Sequence, residues 1–328
     1  MNPKPTLLRR GLLAATVACA ALGTAPAHAA ISITETDADS FHYATAPGWI
    51  SMGKVTPPSA PGTWTPHLTA NPVGTDPAGD GWLRLTEPVA YQSGMAVYDT
   101  AFSSAQGLQI TFEYASYGHT SAYGADGITF FLIDGSTASP APGSTGGSLG
   151  YGGMVGAYVG IGLDEYGSFS ANCGSSPCTA TAQNVTVRGA QSKNFPILVP
   201  PVLLSSLGLP PVSTTDPNRL DARTVRITIS PASSGAPPTM TVEIDPGTGF
   251  VKVIDAFKLT TALNGPIPTT FKFGFGASTG GHNNYHEVRI KNANTLVSAV
   301  PALGQSTLGA LAVLLTLLTL PALRRQFK

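Results

Sequence analysis

Alternation of apolar and polar residues with a period of two is the feature that most constrains how this chain folds. It recurs in short runs separated by turn residues, at 108–114, 225–229, 240–244, 271–275 and 288–290. Successive residues of a strand point to opposite faces, so each run predicts a strand with one face buried and one exposed. No segment between the two ends of the chain carries a sustained helical stripe. The pattern predicts an all-β fold, a two-sheet antiparallel sandwich of the jelly-roll type.

Turn residues indicate how the predicted strands connect. The run Asp245-Pro246-Gly247-Thr248-Gly249 lies between two strand-like runs and predicts a hairpin. The region 194–223 is rich in proline and leucine. We expect it to form a long loop packed over the sandwich, with a partner-binding flap as the alternative. No shift in composition divides residues 30–298, so the sequence predicts one domain there.

The N-terminus predicts export. Lys4 and the pair Arg9-Arg10 precede an apolar run at 11–22, and Ala27-His28-Ala29 offers the small residues that a signal peptidase recognises. Residues 1–29 are therefore predicted to be a secretory signal peptide.

The C-terminus, residues 299–328, predicts a sorting or transmembrane tail. An apolar run at 303–323 has the roughly 20 residues that a membrane-spanning helix needs, and basic residues follow it. The preceding Val300-Pro301-Ala302-Leu303 resembles the proline-containing motif of bacterial IPTL-type sorting tails, and a plain tail anchor is the alternative. Both interpretations predict an exported protein, held at a bacterial envelope by its C-terminal helix or secreted after tail processing.

The charge and the cysteine content limit the binding partners and the metal sites that the protein can have. Charged residues make up 11% of the chain and the formal net charge is zero, so neither nucleic acid nor an anionic membrane surface is an indicated partner. Cys173 and Cys178 remain after the predicted cleavage, and in an oxidising compartment we expect them to close a small disulfide loop. A cysteine pair without further Cys or nearby His is a poor zinc site.

Four loops rich in glycine or polar residues lie at the ends of predicted strands. They are Ala125-Asp126-Gly127 before the apolar run 128–133, the glycine loop 143–151, the acidic loop 164–168, and the polar loop 280–284. We expect them to gather at one rim of the sandwich. An Asp-Gly pair before a strand is usually only a turn, so the functional interpretation of Asp126 depends on the other three loops.

The motifs in these loops resemble those of the L-type, legume-lectin-like lectins, a family of the concanavalin A-like jelly-roll superfamily. In the family's order they are Ala-Asp-Gly before a buried strand, Gly-Gly-x-Leu-Gly, a strand into Asp-x-Tyr, and Gly-Phe-x-Ala-x-Thr-Gly. The resemblance extends from Gly81 to Val288. It implies an L-type lectin-like β-sandwich that is not an enzyme and binds glycans or a cell-surface polysaccharide.

The resemblance also implies the roles of single residues. Asp126 would accept hydrogen bonds from two sugar hydroxyls, after a cis peptide bond, and a backbone N–H of the Gly146-Gly147 turn would donate to the same sugar. The loop 280–284 would form the wall that selects the sugar. The expected carbohydrate-binding residues are Asp126, Gly146, Gly147, Ser168, Gly281, His282 and Asn283.

A calcium site follows from the same resemblance. Its ligands would be Asp164, the carbonyl of Tyr166 and the side chain of Ser168, which are hard oxygen donors of the kind calcium prefers. The family usually has Asn at position 168 and, in many plant members, a metal-binding Glu at the position of Gly162. No acid stands near Cys173, where a further ligand is expected. The departures predict a weakened calcium site and no manganese-type site, and the alternative for Asp164 is a solvated loop acid.

Two other functions compete with sugar binding. The serine at position 168 favours a structural or adhesive surface sandwich that has lost its sugar site. Glucanases share the jelly roll, but retaining enzymes need two carboxyl groups about 5–5.5 Å apart. Asp164 and Glu165 are adjacent on a strand and therefore point to opposite faces, which makes a glycoside hydrolase the least favoured reading.

Overall fold

Strands make up nearly all the regular structure of the protein. The computed structural model describes residues 29–56, 64–72, 74–121, 124–171, 181–219, 222–233 and 235–297. In chain order the strands in these ranges are β1 (Ser32–Thr34), β2 (Trp49–Val55), β3 (His67–Leu68), β4 (Leu83–Thr86), β5 (Gln92–Tyr98), β6 (Phe102–Ser103), β7 (Leu108–Tyr117), β8 (Gly127–Asp134), β9 (Ala157–Asp164), β10 (Asn184–Arg188), β11 (Ile197–Leu203), β12 (Arg223–Ile229), β13 (Thr239–Asp245), β14 (Val251–Lys258), β15 (Thr270–Ser278) and β16 (Tyr285–Asn294). The helical elements there are α1 (Thr261–Asn264) and five short 3-10 turns, at Ala38–Ser40, Ser104–Gln106, Gly146–Ser148, Gln191–Lys193 and Leu204–Leu207.

The strands form two antiparallel sheets. Sheet I has the order β14-β13-β12-β7-β16-β4-β3, with β1 beside β16. Sheet II has the order β11-β10-β9-β8-β15-β5-β2, with β6 beside β15. The predicted two-sheet antiparallel sandwich is therefore confirmed.

Aromatic side chains fill the space between the two sheets. The ring of Phe112 on β7 lies 4.9 Å from that of Phe275 on β15, edge to face, and 6.3 Å from that of Phe130 on β8. All three are almost completely buried. Edge-to-face pairs of this kind stabilise the fold beyond the area they bury.

Sheet II is buried on its other face as well. Phe131, the neighbour of Phe130, points away from the inter-sheet core into a second hydrophobic cluster. Loops supply the far side of this cluster, with Leu149, Tyr151 and Phe169 among its members. Because both faces of β8 are covered, its sequence is a continuous apolar run, as the residues 128–133 predict.

The region 194–223 is not a loop over its whole length, contrary to the prediction from the sequence. Its residues 197–203 form β11, an edge strand that pairs with β10. The prediction was wrong there because Pro200-Pro201 interrupts the alternation, and an edge strand tolerates proline where its N–H groups need no partner. The hairpin at 245–249 is confirmed, since β13 pairs with β14 across it.

Several expectations concern residues outside the described ranges. They are residues 1–28 of the predicted signal peptide, the Cys173–Cys178 disulfide and the C-terminal tail at 299–328. Within the described part of the chain, no helix is both long and apolar enough to cross a membrane.

Candidate functional site

The register of sheet II brings three of the four predicted loops to one rim. Gly127, the first residue of β8, pairs with Asp164 on β9 and with Ser278 on β15. Asp126 therefore stands between the acidic loop and the polar loop, and its backbone N–H donates to the Ser278 carbonyl at 2.9 Å. The Ala125–Asp126 peptide bond is cis, as the resemblance implies.

The carboxyl group of Asp126 is buried and unsatisfied. The residue is 4% exposed, and its Oδ2 accepts no hydrogen bond from any described residue. Burial raises the pKa of Asp126 to about 8, and the charges of Asp164 and Glu165 add to the effect. A buried acceptor without a partner costs roughly 1–3 kcal/mol, so this oxygen is a place where a ligand's donor would be strongly favoured.

A cavity of about 280 Å³ opens at this carboxyl group, lined by Ala125, Asp126, Tyr166, Gly281 and His282. Its volume is just under the range of roughly 300–1,000 Å³ typical of small-molecule sites, which suits a ligand the size of one sugar ring. The Tyr166 and His282 rings contact each other at the mouth, with centroids 5.5 Å apart. An aromatic face offers a surface to the apolar face of a sugar, while the carboxyl group accepts from its hydroxyls.

The glycine loop is fastened to the end of β15. The N–H of Gly146 donates to the Thr279 carbonyl at 2.9 Å, and the Ser278 hydroxyl donates to the Gly146 carbonyl at 2.5 Å. The Gly146 N–H is thus already used, whereas Gly147 lies directly against Ser168. Of the two glycines that the sequence analysis proposed as donors, Gly147 is the better candidate.

Gly280 makes room beside Asp126. A β-carbon at position 280 would lie 2.9 Å from Asp126 Oδ2, closer than real β-carbons approach other atoms. Glycine at this position therefore keeps the space in front of the carboxyl group open.

Asn283 has a different place from the one the sequence predicted. It is buried, and its Oδ1 accepts hydrogen bonds from the Thr120 N–H and hydroxyl at 2.9 and 3.0 Å. It fastens the loop at Thr120 behind the cavity wall. Gly281 and His282 line the cavity, and so does Tyr166, for which the resemblance implied a role of its carbonyl alone.

Asp164 contrasts with Asp126 in its bonding. It is fully buried, not a solvated loop acid, and its Oδ1 accepts from the Gly167 N–H at 2.7 Å while its Oδ2 accepts from the Ser170 N–H at 2.8 Å. Burial raises the pKa of Asp164 to about 6, with these hydrogen bonds acting in the opposite direction. The side chain closes the acidic loop onto itself, and the described loop extends beyond the motif at 164–168 to residue 171.

Asp164 is a weakened ligand for a calcium ion. Each of its oxygens already accepts a backbone N–H hydrogen bond, which competes for the negative charge that would attract a cation. The described residues hold no group of three or more His, Cys, Asp or Glu side chains placed to bind a metal ion.

Glu165 points to the opposite side of β9 from Asp164, as expected for adjacent strand residues. Its carboxylate accepts from Ser116 Oγ and, at 2.8 Å, from Asn284 Nδ2, and it hydrogen bonds with His286 Nε2 at 2.9 Å. Burial alone would raise the pKa of Glu165, but the His286 ring and these hydrogen bonds lower it below its ordinary value. The network ties sheet I to the site end of sheet II. No sequence signal could have found it, because its members come from strands far apart in the chain.

A second cavity has a volume of about 420 Å³. Its lining includes Gln183, Ser213 and Thr214, and it shares Tyr166 with the first cavity. Gln183 holds the wall in place, since its Oε1 accepts from the Val212 N–H at 2.7 Å. The proline- and leucine-rich region therefore contributes to the rim, although its sequence carries no motif for that role.

The described residues thus define a class: a two-sheet antiparallel β-sandwich with an acidic, aromatic-walled cavity at one rim. No protein-family model matches the chain, and no curated protein matches its sequence. Among solved structures, it is similar to the Lotus tetragonolobus seed lectin (15% identity, 81% of this chain and 96% of that chain, TM-score 0.48). It is also similar to peanut lectin with a nine-residue peptide (20% identity, 81% of this chain and 95% of that chain, TM-score 0.47). A third similar structure is the Ca²⁺/Man-bound VIP36 exoplasmic/lumenal domain (15% identity, 80% of this chain and 88% of that chain, TM-score 0.47).

Proposed function

We propose that this protein is a non-enzymatic carbohydrate-binding protein whose binding site is the cavity at Asp126. The observation that carries the proposal is the buried Oδ2 of Asp126, which has no hydrogen-bond partner among the described residues and belongs to a side chain that lines a cavity of sugar size. Sugars present several hydroxyl donors on one ring, so one ligand can supply the missing bond and occupy the cavity.

The neighbouring side chains complete the proposed site. Asp126 accepts from hydroxyl groups, the Gly147 N–H donates to a sugar oxygen, and the Tyr166 ring packs against the ring face of the sugar. Gly281 and His282 form the wall that selects among sugars. The proposal does not require calcium, because each oxygen of Asp164 already accepts a backbone N–H hydrogen bond that would compete with a cation.

The second cavity indicates the size of the ligand. Since Tyr166 borders both cavities, a sugar residue bound at Asp126 leaves its next neighbour in the chain facing Gln183, Ser213 and Thr214. We propose an oligosaccharide or polysaccharide of at least two units as the natural ligand.

The acidic groups favour binding over hydrolysis. Asp126 is the one carboxyl group that lines the first cavity in the described part of the chain. A retaining glycosidase needs a second carboxyl group about 5–5.5 Å away and facing the same bond, and an inverting one needs it somewhat farther off. Asp164 is engaged in its own loop and Glu165 in the network with His286.

The place of action is also part of the proposal. The N-terminal residues 1–29 and the C-terminal tail 299–328 support export and display at a bacterial envelope, or secretion after tail processing. In that setting the ligand is a glycan or a cell-surface polysaccharide.

A glycan array compared across three forms of the protein tests the proposal. The wild-type protein is expected to bind a subset of glycans, and Asp126→Asn is expected to lose that binding because the amide replaces one acceptor oxygen. Asp134→Asn is the matched control, since Asp134 ends the same strand at the opposite rim. Absence of wild-type binding to every glycan would favour the structural or adhesive alternative, and unchanged binding by Asp126→Asn would move the site elsewhere.

A further inference from the structure

Arg188 occupies a position from which a single side chain holds the acidic loop together. It is the last residue of β10, and its Nε donates to the Phe169 carbonyl at 2.7 Å. Its two terminal nitrogens donate to the carbonyls of Ala171 and Phe195, each at 3.2 Å. Backbone carbonyls of a loop are groups that a calcium ion often binds. Here a guanidinium bonds to two carbonyls of the acidic loop and to a third, that of Phe195, outside it.

Phe169 fills the remaining space beneath the loop. Its ring lies against Gly162 so closely that a β-carbon there would be 2.4 Å from Phe169 Cδ1. The Arg188 guanidinium lies 5.2 Å from the centre of the same ring, within the range of a cation–π contact. The ring is completely buried in the second hydrophobic cluster.

Hydrogen bonds close the other half of the loop. The Asp164 carboxylate accepts from Gly167 and Ser170, and the Ser170 hydroxyl donates to the Gly167 carbonyl at 2.7 Å. The loop therefore has a negative group at one end, a permanent positive group at the other, and an aromatic ring under its middle. This set supplies the cation and the rigidity that a metal ion would otherwise bring to the loop.

We infer that Arg188 is a positioning residue that replaces a metal ion in the acidic loop, so that the site at Asp126 works without calcium. The loop carries Tyr166 and Ser168, and Tyr166 lines both cavities. The effect of Arg188 on binding rests on the proposed function, whereas its effect on the loop does not.

The first test uses the wild-type protein and needs no glycan. Hydrogen exchange at the Gly167 and Ser170 amides, together with the melting temperature, is measured in a chelator and in millimolar calcium. Both readouts are expected to be the same in the two conditions. A melting temperature raised by calcium, or slower exchange at these two amides, would overturn the inference.

The second test replaces the guanidinium. Arg188→Gln is expected to speed exchange at the Gly167 and Ser170 amides by about tenfold or more and to weaken glycan binding by a similar factor, with no rescue by calcium. The matched control is Arg226→Gln on sheet I, because Arg226 also bonds a partner, Glu243 at 2.7 Å, and lies 3.9 Å from an aromatic centre. The control is expected to leave both readouts unchanged.

The outcomes separate the two proposals. If wild-type protein binds no glycan, the proposed function fails while the exchange data still decide the role of Arg188. If Arg188→Gln exchanges no faster than wild type at these amides, or if calcium restores its binding, the inference is wrong. If the variant does not fold, the chelator and calcium comparison on wild-type protein remains decisive.

Discussion

Asp126 and Asp164 lie at the same rim, next to neighbouring strands, and they differ in their hydrogen bonding. Asp164 has both carboxylate oxygens bonded to backbone N–H groups of its own loop. Asp126, which directly precedes β8, is nearly as buried and has an oxygen without any partner among the described residues. The two residues share burial and the end of a strand, and they differ in whether the protein itself completes their hydrogen bonds.

The difference separates a carboxyl group that the fold itself satisfies from one that it leaves unsatisfied. Burying a carboxyl group is unfavourable, and the fold compensates for Asp164 internally, whereas Asp126 has no such compensation for its Oδ2. The resemblance in sequence motif implies that both belong to one site. The hydrogen bonds engage Asp164 within its own loop, and the proposed function uses Asp126 for the ligand.

The largest effect is expected from removing Asp164. Asp164→Ala leaves the buried N–H groups of Gly167 and Ser170 without acceptors, which is expected to lower the free energy of unfolding by about 3 kcal/mol. Urea denaturation measures the change. Asp134→Ala is the control, because Asp134 accepts from Ser136 in an exposed turn and is expected to lose less than about 1 kcal/mol. Equal losses in the two variants would remove the contrast between Asp164 and Asp126.

The next effect concerns the open space beside Asp126. Gly280→Ala places a methyl group 2.9 Å from Oδ2, where a ligand's donor would lie, and is expected to weaken glycan binding by about 100-fold with little change in stability. Isothermal titration calorimetry measures the affinity. Gly235→Ala is the control because a β-carbon there meets no atom within 4 Å. Tight binding by Gly280→Ala would show that the ligand does not approach this oxygen.

The smallest effect is a dependence of binding on pH. Since burial raises the pKa of Asp126 to about 8, the carboxyl group of the free protein is mostly protonated at neutral pH. A ligand that donates to it favours the carboxylate, so affinity is expected to rise by up to about tenfold between pH 7 and pH 9, and to level off above that. Calorimetric titrations at several pH values test this, and a flat profile would contradict it.

The pH dependence of folding stability provides a control for the pH dependence of binding. It is expected to have the opposite sign, because stability falls as pH rises. The pKa of Asp126 is higher in the folded state than its ordinary value of 3.8, so the folded protein binds more protons between these values. The contribution of Asp126 to stability is therefore greatest at low pH and is lost as pH rises toward 8. Asp164, whose pKa is raised to about 6, contributes in the same direction. Asp126→Asn is expected to make the melting temperature less dependent on pH, and an unchanged dependence would assign it to other groups.

Much of the fold could be predicted from the sequence because its pattern is local. Alternation at 108–114 and 225–229 gives β7 and β12, and the continuous run at 128–133 gives a strand covered on both faces. The strand β11 was not predicted, because Pro200-Pro201 interrupts the alternation of apolar and polar residues that indicates a strand. A proline at a sheet edge is compatible with a strand, but that compatibility depends on the sheet, which the local sequence does not show.

The candidate site was predictable only in part. Asp126, Gly281 and His282 follow from motifs next to strands, and the structure brings all three to one cavity. The different state of Asp164 follows from donors at Gly167 and Ser170, whose direction depends on how the loop turns. Arg188 carries no motif, because its partners are backbone carbonyls, and any residue type has those.

The double burial of sheet II has a consequence for how new specificity could arise. The loops that cover Phe131 with Leu149 and Phe169 are the same loops that carry Gly147 and Ser168. Exchanging either loop would change the proposed ligand contacts and also open a hydrophobic cluster. Most such exchanges would therefore destabilise the fold, whatever their effect on binding. Gly281 and His282 line the cavity and contribute no side chain to that cluster in the described structure, so replacing them alters the cavity wall without opening the cluster.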